Sequence, residues 1–209
     1  MVKIYLIRHG QTDFNVKSII AGQIETDLTA LGRRQALEAA QKLKSDGVNF
    51  DVILCSTLKR AKDTAEIIAS ILPAPIVYDE GLKEFSNGIF EGLEVEKLKQ
   101  MRFNPPYHTA GLDFENGADL YAAYSSFDPK YDTLCYPEGE TKQEARERFM
   151  RAIEHYLQAH PDIKNLGVVA HGAVIRFMLL KVCPETLKEK IKNAEARLIH
   201  YEKAKGFYA

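Results

Sequence analysis

Short apolar runs at residues 2–7, 51–54, 76–78 and 167–170 are separated by longer stretches in which apolar side chains recur at helical spacing. Runs of that length read as strands, and their alternation with helices specifies an α/β fold rather than a bundle or a β-sandwich. Residues 29–44 place Leu31, Ala36, Ala39, Ala40 and Leu43 on one helical face, with Thr29 as N-cap and Gly47 as the stop. A second helix, Lys59–Ile71, is closed by Pro73 and Pro75. Near the end, "NLGVVAHGAVIRFMLLKV" reads strand, tight turn and helix, the helix covering 173–182. A short helix at about 187–192, an edge strand "ARLIHYEK" and a segment "GFYA" pairing beside it are expected to follow.

Residues 101–138 break the alternation. They are rich in aromatic, Pro, Gly and Asp/Asn residues, and only 117–127 has helical character. A long irregular segment of aromatic composition reads as a functional cap rather than as disorder. A second charged stretch, 140–158, reads as a helix whose Arg146, Arg148 and Arg151 lie among acids on a solvated, ion-paired face.

Charge excludes some functions. Lys and Arg total 28 against 29 Asp and Glu, so no global field attracts nucleic acid or an anionic membrane. Any anion site must be local. No apolar run approaches the roughly 20 residues of a spanning helix, and the N-terminal run is too short for a signal sequence, so a cytoplasmic protein is expected. Cys55, Cys135 and Cys183 are widely spaced, which fits small buried or half-buried residues better than a disulfide framework or a thiolate metal site. His108, His155, His160 and His200 have no metal-like spacing, and no cofactor is expected.

Two strands end in the same way, at "YLIRHG" and at "GVVAHGA". Ligands of open α/β sheets bind at the carboxyl ends of strands, and the second His-Gly also opens a helix whose N-terminal amides favour anions. Either histidine alone would more often be a hydrogen-bonded structural residue; two in one context point to a shared crevice. Ser56 and Arg60 follow another strand in "CSTLKRAKDTAEII", and Glu84, Glu91 and Glu94 stand near two glycines in "LKEFSNGIFEGLE". Taken singly, these belong to the helix faces and loops that most charged residues occupy.

Together, "RHGQT" with Asn15, "GQIETDLTALGRRQA", "STLKRAKDTA", "LKEFSNGIFEG" and "VVAHG" resemble the ordered motifs of the histidine phosphatase, or phosphoglycerate mutase-like, superfamily. The resemblance implies a three-layer α/β/α sandwich with a mostly parallel central sheet, one domain over 1–209 and a cap inserted at about 101–138. It implies His9 as nucleophile, Glu84 as proton donor, and Arg8, Arg60 and His171 around the phosphoryl oxygens. Glu91 and Glu94 are the lesser candidates for the donor. Asn15, Ala21, Gly22, Gln23 and the backbone at Gly172 are expected to border the substrate.

The chemistry suits these residues. A histidine attacks through an unprotonated nitrogen, which neighbouring guanidinium groups favour, while its other nitrogen donates to a backbone carbonyl in the Gly10 turn. Arginine forks match phosphoryl oxygens two at a time, and a phosphate dianion nearby would favour a protonated Glu84. The cap offers only Arg102, His108 and Lys130 as cationic-capable groups, with His108 more at home on the surface. A small-phosphomonoester phosphatase is therefore the first expectation. A cofactor-dependent phosphoglycerate mutase is the alternative, and a non-catalytic phospho-ligand binder the third.

Overall fold

The computed structural model describes residues 1–126, 128–184 and 191–209. Its central sheet has six strands, β1 (Val2–Arg8), β2 (Val52–Ser56), β3 (Ile76–Asp79), β6 (Asn165–Ala170), β7 (Ala196–Glu202) and β8 (Gly206–Tyr208), in the order β3-β2-β6-β1-β7-β8. The first four are mutually parallel, whereas β7 runs antiparallel to both β1 and β8. The strand expected at the edge, β7, is thus interior, and β8 forms the edge. β8 is the expected segment "GFYA", paired beside β7 through His200–Tyr208 and Tyr201–Phe207.

Alternation along each strand builds two cores. Ile4 and Leu6 of β1, Val52 and Leu54 of β2, and Leu166 and Val168 of β6 share one cluster with Phe149 and Ile153 of α6 (Lys142–Ala159) and Val174 and Met178 of α7 (Gly172–Val182). Ile7, Ile53, Cys55 and Val169 face the other way, onto Ala40 and Leu43 of α2 (Ala30–Ser45) and Ala61, Ala65 and Ile68 of α3 (Lys59–Ile71). A period of two along buried strands produces this division, and helices on both faces complete the α/β/α layering.

Local signals account for several boundaries. Thr29 accepts the Gly32 amide at 2.9 Å and starts α2. Gly47, at φ +76°, stops it, its amide reaching the Lys44 carbonyl while that of Val48 reaches Leu43, the bonding of a Schellman cap. The charged helix starts later than expected. Thr141 and Glu144 form its capping box, which leaves Glu140 outside α6. The helix expected at about 187–192 falls largely outside the described residues.

Two short helices, α1 (Asp13–Val16) and α4 (Val95–Gln100), were not anticipated. In the inserted segment the correction is larger, because β4 (Arg102–Thr109) and β5 (Leu112–Asn116) form a hairpin before α5 (Gly117–Ser125). Thr109 pairs with Leu112 across Ala110 and Gly111, whose φ values of +53° and +74° make the tight turn that suits strand twist. Alanine is an uncommon occupant of such a position, and two prolines in the first strand hide the pattern further. Leu120, Ala123 and Tyr124 of α5, with Leu134 and Tyr136, join the same core cluster as Ile4 and Leu6.

Candidate active site

β1 and β6 lie side by side, so their carboxyl ends bring Arg8–His9 and Ala170–His171 together. The two imidazole centroids are 5.2 Å apart, with His9 4% and His171 0% exposed. A cavity of about 240 Å³ opens there, its walls including Arg8, His9, Asn15, Arg60, Glu84 and Arg176.

His9 Nδ1 lies 2.7 Å from the Gly10 carbonyl. That oxygen can only accept, so Nδ1 carries the proton and Nε2 keeps its lone pair in the neutral ring. Burial, then the charges of Arg60 and Arg8, hold the His9 pKa well below 6.5. The adjacent turn is fixed by Thr64 Oγ1, which accepts the Gly10 amide at 3.1 Å and donates to the Arg60 carbonyl at 2.7 Å.

Arg60, in the first turn of α3, is only 1% exposed. Its Nη1 and Nη2 donate to the Ile24 and Gly22 carbonyls at 2.8 and 2.7 Å, and its Nε donates to His171 Nδ1 at 3.2 Å. His171 Nε2 in turn stands 2.7 Å from Ser56 Oγ. Both of its ring nitrogens therefore have protein partners, and His171 orients Arg60 as an acceptor. Burial and the same arginine lower its pKa well below 6.5.

Arg8 donates through Nη1 to the Ile191 carbonyl at 2.7 Å, while its buried Nε has no hydrogen-bond partner among the described residues. Gly172 packs flat on this side chain: a Cβ there would stand 3.1 Å from Nε. A buried donor left unanswered in the wall of a cavity is able to bond a ligand oxygen.

The Glu84 carboxylate accepts the Phe85 amide at 2.9 Å and, at the N-terminus of α7, those of Ala173 and Val174 at 3.1 and 3.2 Å. The other two glutamates are bonded differently, Glu91 standing against Gly22 of the cavity wall. Glu91 Oε1 accepts the Asn87 amide at 2.9 Å, and Glu94, half-exposed, contacts Lys97 Nζ at 3.3 Å.

Of the expected substrate neighbours, Asn15, Ala21 and Gly22 line the cavity. Asn15 Oδ1 accepts from the Thr12 amide and from Asn193 Nδ2, both at 3.1 Å, so its own NH2 is the group able to donate to a ligand. Gln23 is used differently: its Nε2 donates to the Glu84 carbonyl at 3.0 Å. From the inserted segment, Tyr121, Tyr124, Ser125, Ser126 and Tyr136 reach the cavity, whereas His108 is exposed and contacts Asp113 at 2.7 Å.

Residues missed in the sequence are Arg176, Asn193 and Thr64. Arg176 stands at the fifth position of α7, and its spacing from His171 was the available signal. Arg146 and Arg148 are not on a solvated face. Arg146 Nη1 contacts Asp132 at 2.8 Å, and Arg148 turns inward onto Glu140 and the loop before Glu84.

A mostly parallel sheet with a cationic pocket and two buried histidines at the carboxyl ends of β1 and β6 defines an α/β protein with a histidine-centred pocket. The family model of the histidine phosphatase superfamily (branch 1) matches residues 4–207, and the chain belongs to that family. A Bacillus subtilis (strain 168) protein named uncharacterized phosphatase PhoE is 32% identical over 197 residues, 93% of this chain and 86% of its own. A probable phosphoglycerate mutase, GpmB, of Proteus mirabilis (strain HI4320) is 32% identical over 182 residues, 87% and 75% of the two chains. The solved structure of Bacillus stearothermophilus YhfR shares the fold at a TM-score of 0.80, with 23% identity, covering 100% of this chain and 95% of that one. Membership and a phosphatase-named relative support enzyme activity of the phosphatase kind.

Among the described residues, no group of three or more His, Cys, Asp or Glu side chains is arranged to hold a metal ion. No described helix is long and apolar enough to cross a membrane. Cys55 and Cys183 are buried and Cys135 half-buried, and no disulfide joins them among the described residues.

Proposed function

We propose that this protein hydrolyses small phosphomonoesters through a phosphohistidine formed on His9. The observation that carries the reading is the His9 ring itself. It is buried, neutral and tied through Nδ1 to the Gly10 carbonyl, which leaves Nε2 as a lone pair at the floor of a cationic cavity.

In the first step Nε2 attacks phosphorus and the P–O bond to the leaving group breaks. Glu84, protonated at that stage, delivers its proton to the departing oxygen. In the second step water attacks phosphorus, Glu84 takes its proton, the P–N bond breaks and phosphate leaves. Arg8, through the Nε that has no partner among the described residues, and Arg60 stabilise the charge that moves over the phosphoryl oxygens, and His171 holds Arg60 in place. Asn15 and the backbone at Ala21 and Gly22 frame the pocket, and Gly172 lies against Arg8. A cavity of this size takes a small leaving group, and the tyrosines of the inserted segment offer it apolar and ring surface.

Two observations favour the mutase as a second reading: the GpmB relative, and Arg176 as a further cation in the cavity wall. Both reactions require the phosphohistidine. Acid-labile, base-stable phosphate on His9, mapped by mass spectrometry after rapid quenching, is the expected result, and it should vanish with turnover in His9→Ala. Near-normal phosphate release by His9→Ala overturns the reading. Release of inorganic phosphate without interconversion of phosphoglycerate isomers separates phosphatase from mutase.

A further inference from the structure

Arg148 takes no part in the steps above, yet its side chain is among the most fully bonded in the molecule. From α6 its Nη1 donates to the carbonyls of Gly81 at 2.7 Å and Lys83 at 3.0 Å, and its Nη2 reaches the Glu84 carbonyl at 3.4 Å. The same guanidinium forks onto Glu140, Nη2 to Oε1 at 2.6 Å and Nε to Oε2 at 3.2 Å. Glu140 Oε1 also accepts the Ser86 amide at 2.9 Å. One bidentate pair thus grips the chain on both sides of Glu84, while Gln23 holds the Glu84 carbonyl from elsewhere at 3.0 Å.

A pair that only fastened α6 to its neighbour would need one or two such contacts. Here they converge on the peptide groups that carry a single side chain, and that side chain spans to the N-terminus of α7 at 3.1 and 3.2 Å. Proton transfer depends steeply on geometry, and displacing a reacting group by about 1 Å can lower a rate on the order of 100-fold. Lysine could not replace the arginine, because a point ammonium cannot bond two carboxylate oxygens and several carbonyls in one plane.

We propose that Arg148, set by Glu140, is a positioning residue that fixes where Glu84 delivers and receives its proton. The inference rests on the reading of Glu84 as proton donor, and the test separates the two. Rates are measured for Arg148→Met, Arg148→Lys, Glu140→Gln and Glu84→Gln on an alkyl phosphate and on nitrophenyl phosphate, whose leaving group needs little protonation. Arg148→Met should lower kcat/KM, which reports the leaving-group step and not the shared hydrolysis of the phosphohistidine, by about 10- to 100-fold for the alkyl ester, with a much smaller loss on the nitrophenyl ester. Arg148→Lys and Glu140→Gln should show the same selectivity more weakly, and they carry the test if the methionine variant does not fold.

In the double variant with Glu84→Gln, Arg148→Met should add no further selectivity between the esters, because the group it positions has already lost its proton. Equal losses on both esters in the Arg148 and Glu140 variants, while Glu84→Gln remains selective, overturn the positioning role alone. Equal losses in Glu84→Gln itself overturn the donor reading and this inference with it.

Discussion

His9 and Arg60 show how position, more than residue type, sets the protonation of a side chain. A free imidazole is about one-tenth to one-quarter protonated near neutral pH, whereas burial and two guanidinium groups hold the His9 pKa well below that of a free ring. Arg60 is the larger of the two charge contributions, so Arg60→Met should raise the His9 pKa toward its ordinary 6.5. NMR titration of the ring resonances, assigned by comparison with His9→Ala, should place the midpoint at higher pH than in the native protein. An unmoved midpoint would show that burial alone sets it. Arg8, His9, Arg60 and His171 could be singled out because each stands in a short motif at a strand end or a helix start, and Glu84 because its loop carries a motif of its own. Thr64, Asn193 and Arg148 were not, because each acts through a backbone group distant in sequence, and only the fold brings Arg148 to residues 65 positions away.

At the scale of elements, the strand–helix alternation was readable because local period and burial agree, as in β1, α3 and α7. The β4–β5 hairpin was not, since its turn uses Ala110 at positive φ and its first strand carries two prolines. Lys142 illustrates a junction that composition also conceals. It begins α6, where a cation opposes the helix dipole, yet its Nζ donates to the Ser126 carbonyl at 2.9 Å and the Ala123 carbonyl at 3.3 Å, closing the end of α5. Burial pushes its pKa down from 10.5 to about 8.

The sign of the resulting pH dependence follows from proton counts. Between about 8 and 10.5 the unfolded chain holds a proton that the folded protein has released, so this group's contribution to stability rises with pH across that window; below it, the cost of burying the charge is present in full. Lys142→Met removes the titration. Urea unfolding at pH 7.5 and 9.5 should therefore show native stability gaining relative to the variant at the higher pH. A difference independent of pH would sink the argument.

Across the whole molecule, the inserted segment and the sheet share one core. Leu120, Ala123, Tyr124, Leu134 and Tyr136 pack in the cluster that holds Ile4, Leu6, Leu166 and Val168, and Tyr124 stacks on Tyr136 at 3.5 Å between centroids. We infer that residues 1–209 behave as a single domain whose cap cannot melt by itself without exposing the α6–α7 face of the sheet. The composition supplies its own probe. The chain has no tryptophan and 10 tyrosines, among them Tyr107, Tyr121, Tyr124, Tyr131 and Tyr136 of the inserted segment, so tyrosine emission weights the cap while far-ultraviolet circular dichroism weights the helices and sheet. The two signals should trace one urea transition. Leu120 is fully buried, and Leu120→Ala should remove on the order of 2–5 kcal/mol, moving both curves together by the same amount. A tyrosine transition that precedes the dichroism, or that alone shifts in Leu120→Ala, would mean that the cap is a separate folding unit resting on the sheet, and that the pocket wall it forms opens independently of the histidine-bearing strands.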